Sequence, residues 1–546
     1  MRCRERFIRT RLHSWADMAE LTKATRRAFL ASCLASAAAA GGAARAVLQS
    51  EASPQELAKR AKVAGFALSK LRRWLHQKAL PLIDAQTGLY RADGRWNYRD
   101  TAADCYPFLC WAAYVTDPAV LTNEALAILE AEQRLCNHID RIPVRFDWKT
   151  RRKATDLSWE HIVFGASEYV KDGLIAIVEL LGRGPWFERM KAIEDDIWKH
   201  APIDTPYGPI PSRNVEVNGE QLQALARLWA ATEEERYGRW ALRLAHYYLD
   251  DENYAPRRLR DHGCEIIGGL GLLLGVLSER DHPELRWLTK RLQKMFDLIL
   301  ARGCNPDGLM YNTLGDPRSG LSDNWGYNYI AFHCFDMASG QHRYRAAIEH
   351  VLRAIDQPEY YGFNWGGGID GFADSIEGAL YLVHRFQVAE ALRWIDREVK
   401  QQVLFYNVPG AERHLWGTMK LESNAVRTVV MYTLMLTGGV LPRPWQDGLE
   451  IGALRNGSRL ALWLRSDKPW RGRLQFDQQR HRRYFGFQRD WPRLNTVPEW
   501  FAVDERRTYV VRGAHGSRRT VTGRQLIEGV PAEAGPQPIV LSVQSA

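Results

Sequence analysis

From about residue 55 to about residue 440, apolar residues recur every three to four positions in one segment after another, with almost no alternating pattern between them. This period predicts helices beginning near residues 56, 102, 121, 161, 184, 215, 235, 261, 283, 323, 341, 370, 388 and 423. They form pairs about fifty to sixty residues apart, and paired helices at a steady period predict a repeat architecture. The two members of a pair differ. "ELRWLTKRLQKMFDLIL" and "VAEALRWIDREVKQQV" carry a charged face suited to water and read as outer helices. "EIIGGLGLLLGVL" is rich in small and apolar residues, suits packing on all sides, and reads as an inner helix.

Alternating outer and inner helices predict an all-α (α/α) toroid of six or seven hairpins over residues 47–444. Beyond residue 445 the texture changes to short alternating runs such as "RLALWLRSDKPWRGRLQFD" and "EWFAVDERRTYVVRG". These predict a small β-sandwich-like C-terminal domain over 445–546. Its aromatic residues are expected to pack against the helical body.

In such a toroid the inner helices all run one way, so their starts meet at one mouth. The starts carry polar groups: Asp104; His161; Asn214, Glu216 and Asn218; His262 and Glu265; Asp323, Asn324, Trp325, Tyr327 and Tyr329; Asp370, Asp374 and Glu377. The last three follow the glycine run 366–368 at i, i+4 and i+7, on one helix face, with Asp370 where the backbone N–H groups and helix dipole favour negative charge. General acid–base chemistry needs one protonated carboxyl and one ionised carboxylate, and crowded like charges raise one of two neighbouring pKa values. Asp104, Glu216, Glu265, Asp323, Asp370, Asp374 and Glu377 are candidates for that pair. Trp96, Trp325 and Trp365 are candidates for stacking on a ligand, and Arg213, Arg260 and Arg427 could grip a carboxylate with two parallel N–H donors.

Charge narrows the partners. The chain carries 74 Lys and Arg against 64 Asp and Glu, +10 overall. Nine of the basic and three of the acidic residues fall in the first 46, which leaves +4 beyond them. That removes most of the argument for nucleic acid. The first 46 residues pair Arg26 with Arg27 ahead of a weak apolar run ending in "ARA", which resembles a twin-arginine export signal and implies the twin-arginine translocase as a partner and a periplasmic or secreted destination. No run near twenty apolar residues predicts a spanning helix in the body. Cys105, Cys110, Cys136, Cys264, Cys304 and Cys334 show no C-x-x-C pair and no His/Cys cluster at zinc spacing, so buried thiols are expected, and no metal or cofactor is predicted.

Signal, toroid and small β domain in this order resemble carbohydrate-active enzymes of the (α/α) toroid group, both glycoside hydrolases and polysaccharide lyases. "RDHGCEIIGGLGLLLG" looks like the His-containing inner helix of heparinase-type and alginate-type lyases. That resemblance implies His262 as an imidazole and Tyr327 or Tyr329 as a phenol acting at a uronate. The expected function is cleavage of glycosidic bonds in a poly- or oligosaccharide, by hydrolysis first and by His/Tyr β-elimination second. A non-catalytic glycan-binding envelope protein is the third reading. A terpene-cyclase-like enzyme would require an acidic D-x-D-D cluster, and none occurs.

Overall fold

The computed structural model describes residues 53–546 apart from His262, 409–416 and 514–516. The expected export signal over 1–46 and the imidazole of His262 lie outside the described residues. Among those described, seven helical hairpins follow one another. They pair α1 (Pro54–Trp74) with α2 (Tyr106–Thr116), and α3 (Leu126–Cys136) with α4 (Trp159–Glu168), which runs on through the wide turn Tyr169–Leu174 into α5 (Ile175–Leu181). Next come α6 (Pro185–Lys199) with α7 (Val215–Thr232), α8 (Glu235–Leu249) with α9 (Gly263–Glu279), and α10 (Leu285–Arg302) with α11 (Trp325–Ser339). The last pairs are α12 (Arg345–Ala354) with α13 (Ile369–Phe386) and α14 (Ala389–Glu398) with α15 (Met419–Thr437).

The second member of each hairpin lies inside. α7 packs on α9, α9 on α11, α11 on α13 and α13 on α15; α15 meets α2, and the α4–α5 run bridges α2 to α7, so the ring closes. The fold is an (α/α) toroid of seven hairpins. Small residues set the spacing. A Cβ added to Gly326 of α11 would stand 2.5 Å from the Cα of Gly378 on α13, so these two backbones touch directly. Before α13 the chain turns through Gly366, Gly367 and Gly368 at φ of 86°, 68° and 66°, a left-handed run that glycine adopts without strain.

After α15 the chain forms two antiparallel sheets. One has five strands in the order Arg518–Thr522, Thr508–Arg512, Ile539–Ser545, Arg459–Ser466, Leu449–Asn456. The other has three, Val530–Ala534, Trp470–Gln475 and Leu441–Arg443. Between the strands, residues 489–497 reach back into the ring. Trp491 and Leu494 press on Gly275 and Gly268 of α9. Arg493 places Nε and Nη2 at 2.7 and 2.8 Å from the two oxygens of Glu179 on α5, which also receives Arg227 of α7 at 2.8 Å. All three side chains are buried. A carboxylate so deep is held because two guanidinium groups answer it.

Candidate active site

Where the inner helices begin, the ring encloses a cavity of about 180 Å³. Its wall carries Asp104 from just before α2, Glu216 and Glu220 from the start of α7, and Asp261 and Glu265 from the start of α9. Asn324 and Tyr327 come from the start of α11, Asp370 and Asp374 from α13, and Lys420 and Arg427 from α15. Glu168, Lys171 and Asp172 enter from the middle of the α4–α5 run, Arg99 from the loop before α2, and Asn495 from the C-terminal segment. Nine of these are carboxylates and four are cations, and the only aromatic among them is Tyr327. The cavity is polar and predominantly acidic.

One wall is organised around Arg427. Its Nη2 lies 2.5 Å from Asp374 Oδ1 and its Nη1 lies 3.1 Å from Glu377 Oε2. Asn324 Nδ2 donates to the other oxygen of Asp374 at 3.1 Å. Asp374 therefore faces the cavity with a guanidinium on one oxygen and an amide on the other. One turn earlier, Asp370 accepts from Asn424 Nδ2. Burial, then the charge of Asp374, push its pKa up to about 7. Behind them Asp323, 3.0 Å from Arg260 Nη2, is pushed up to about 8 by burial and then by Asp374. Two carboxyl groups on one helix face thus sit in unlike surroundings, Asp374 against a guanidinium and Asp370 against a neutral amide.

Glu377 lies beneath that wall at 1% exposure. The Tyr327 and Tyr381 hydroxyls stand 2.5 Å from its two oxygens. It orients Arg427 and Tyr327 from below. Burial, followed by the charges of Asp374 and Glu377, drives the Tyr327 phenol well above its ordinary range. Elsewhere, Lys420 lies 2.9 Å from Asp104 and 3.2 Å from Asp100. Lys171 bridges Asp172 at 2.7 Å and Glu265 at 2.8 Å, and Gln223 Nε2 donates to Glu265 at 2.7 Å.

Of the residues singled out in the sequence, Asp104, Glu216, Glu265, Asn324, Tyr327, Asp370 and Asp374 come together on the cavity wall. Others sit apart from it. Asn214 caps α7 by accepting from the Glu216 amide, and Asn218 is buried between Ser212 O and the Tyr248 hydroxyl. Trp325 donates to Ser375 Oγ inside the core, Tyr329 donates to Gly308 O, and Trp96 donates to the Tyr98 hydroxyl. Trp365 packs edge-on between Phe363 and Trp394. The physical reason is rotation: each helical residue turns about 100° from the last, so Trp325 and Tyr329 point away from the face that carries Tyr327. Buried on every side, none of these rings offers a sugar a flat surface. His161 is exposed in the first turn of α4, off the wall. Glu168, Lys171 and Asp172 escaped notice, although three charges at i, i+3 and i+4 in the otherwise apolar "ASEYVKDGLIAIV" are a readable signal.

Among the described residues no helix is long and apolar enough to cross a membrane. No protein-family model and no curated protein matches the sequence. Among solved structures the chain is similar to an α-1,6-mannanase of Salegentibacter at 12% identity, covering 68% of this chain and 98% of that one with a TM-score of 0.38. It is similar to a cellobiose 2-epimerase of Bacillus thermoamylovorans at 11% identity, covering 67% and 98% with a TM-score of 0.36. A β-L-arabinofuranosidase of Geobacillus stearothermophilus is also similar at 11% identity, covering 88% of this chain and 80% of that one with a TM-score of 0.38.

Proposed function

We propose that the protein hydrolyses glycosidic bonds of an uncharged or cationic poly- or oligosaccharide. Asp370 serves as general acid, and Asp374 as the ionised carboxylate that activates water or attacks the anomeric carbon. The observation that carries this reading is the unequal pair. Asp374 is paired with the Arg427 guanidinium and the Asn324 amide, while Asp370, one turn away on the same wall, has its pKa pushed up to about 7. A glycosidase needs that division of labour. The balance of nine carboxylates to four cations disfavours a polyuronate. The phenol of Tyr327, bonded to Glu377 and Asp374 and with its pKa driven well above the ordinary range, is a poor base for β-elimination.

The test is product analysis on a panel of neutral, amino and uronate oligosaccharides. Hydrolysis gives saturated products, and Asp370→Asn and Asp374→Asn each lower kcat/KM by at least about 100-fold while the protein stays folded. A product with an unsaturated, ultraviolet-absorbing uronate, formed at near-normal rate by both variants, would replace this reading with elimination. Glycan binding without turnover in the unaltered protein would replace it with a binding function.

A further inference from the structure

The cavity holds a second group of carboxylates that the proposed hydrolysis does not use. Glu168, Glu216 and Glu220 offer one oxygen each, and these three oxygens lie within 4.8 Å of one another. Glu220 is 2% exposed, and its Oε2 is buried with no hydrogen-bond partner among the described residues. The neighbouring ammonium of Lys171 is engaged by Asp172 and Glu265. A second trio, His481, Asp490 and Glu499, makes an instructive contrast. There His481 is bonded to Glu499 at 2.9 Å and Asp490 is taken by Arg385 and Arg493, so protein groups already answer the carboxylates.

We propose that Glu168, Glu216 and Glu220 bind a hard divalent cation, Ca²⁺, Mg²⁺ or Mn²⁺. Two oxygens sharing an ion at about 2.4 Å can stand no more than about 4.8 Å apart, which is the limit this trio meets. Carboxylate oxygens without imidazole or thiolate select hard cations over zinc or copper. An orphaned carboxylate oxygen in a buried site requires a partner, and a cation supplies one.

The site is tested on the full-length protein, stripped with chelator and titrated separately with Ca²⁺, Mg²⁺, Mn²⁺ and Zn²⁺ by calorimetry and thermal melting. One ion per chain is expected to bind, and the melting temperature to rise with at least one hard cation. Glu220→Gln is expected to weaken that binding at least about tenfold, because ligand charge sets affinity in oxygen sites. Its metal-free melting temperature should stay level or rise, since a buried repulsive charge is gone. Glu168→Gln provides the second variant. Absence of binding and of any melting shift at about 1 mM of each hard cation would overturn the proposal, leaving carboxyls that only share protons. Undiminished binding in both variants, or binding of zinc alone, would overturn it as well.

Discussion

Asp370 and Asp374 differ in their surroundings more than in their chemistry, and the difference has a pH signature. If Asp370 must deliver a proton, kcat should fall as the pH rises through about 7, where it ionises. The same groups act on stability. Asp370 and Asp323 titrate near 7 and near 8 in the folded protein, against about 3.9 in an unfolded chain. Between those values the folded state holds the extra protons. Their contribution is thus complete below about pH 4 and lost as the pH rises through about 7 to 8. The melting temperature should fall from about pH 6 to about pH 9, and Asp323→Asn should flatten that decline. A melting temperature that climbs over this interval would contradict the assignment.

At the scale of elements, the spacing of helices governs the site. Gly378 lies beside Glu377, and Gly326 beside Tyr327, so the two bare backbones hold the Tyr327–Glu377–Arg427 cluster at contact distance. A Cβ on Gly378 would meet Gly326 Cα at 2.8 Å. Gly378→Ala is expected to destabilise by about 1–3 kcal/mol, read by denaturant midpoint, and to depress activity as the two helices part. The elements were legible from sequence because each helix of a toroid must hide one face, and that leaves a period in the chain. Ring closure fixed the count at seven, since the first and last hairpins pack like the rest. The wall carboxylates were legible because they open helices. Glu168, Lys171 and Asp172 sit in mid-helix, where the only signal is three charges at i, i+3 and i+4 in an apolar stretch, and Asn495 arrives from a segment far along the chain with no local pattern to announce it. Glu168, Glu216 and Glu220 likewise come from two hairpins, and His/Cys spacing rules are blind to such a set. The aromatic residues misled for the opposite reason: large rings near polar helix starts also serve the core.

For the whole molecule, the C-terminal region is structural to the ring. Arg493 supplies half the countercharge of Glu179, whose side chain is fully buried. Arg493→Met should therefore destabilise by about 3–5 kcal/mol, because removing one partner strands a buried charge; urea unfolding measures it. An unchanged midpoint would show that Arg227 alone suffices. Asn495 donates to Asp172 and to Lys171 O, and the Thr496 amide to the Tyr381 hydroxyl, so these late residues underpin both walls of the cavity. On the ribosome this has a temporal meaning. Chains grow from the N-terminus at about 5–20 residues per second, and every hairpin is made before residue 495 emerges. A product that ends before residue 489 would carry all the proposed catalytic side chains yet lack Asn495 and Thr496 beneath them. The cavity is thus finished only by residues made after its last hairpin.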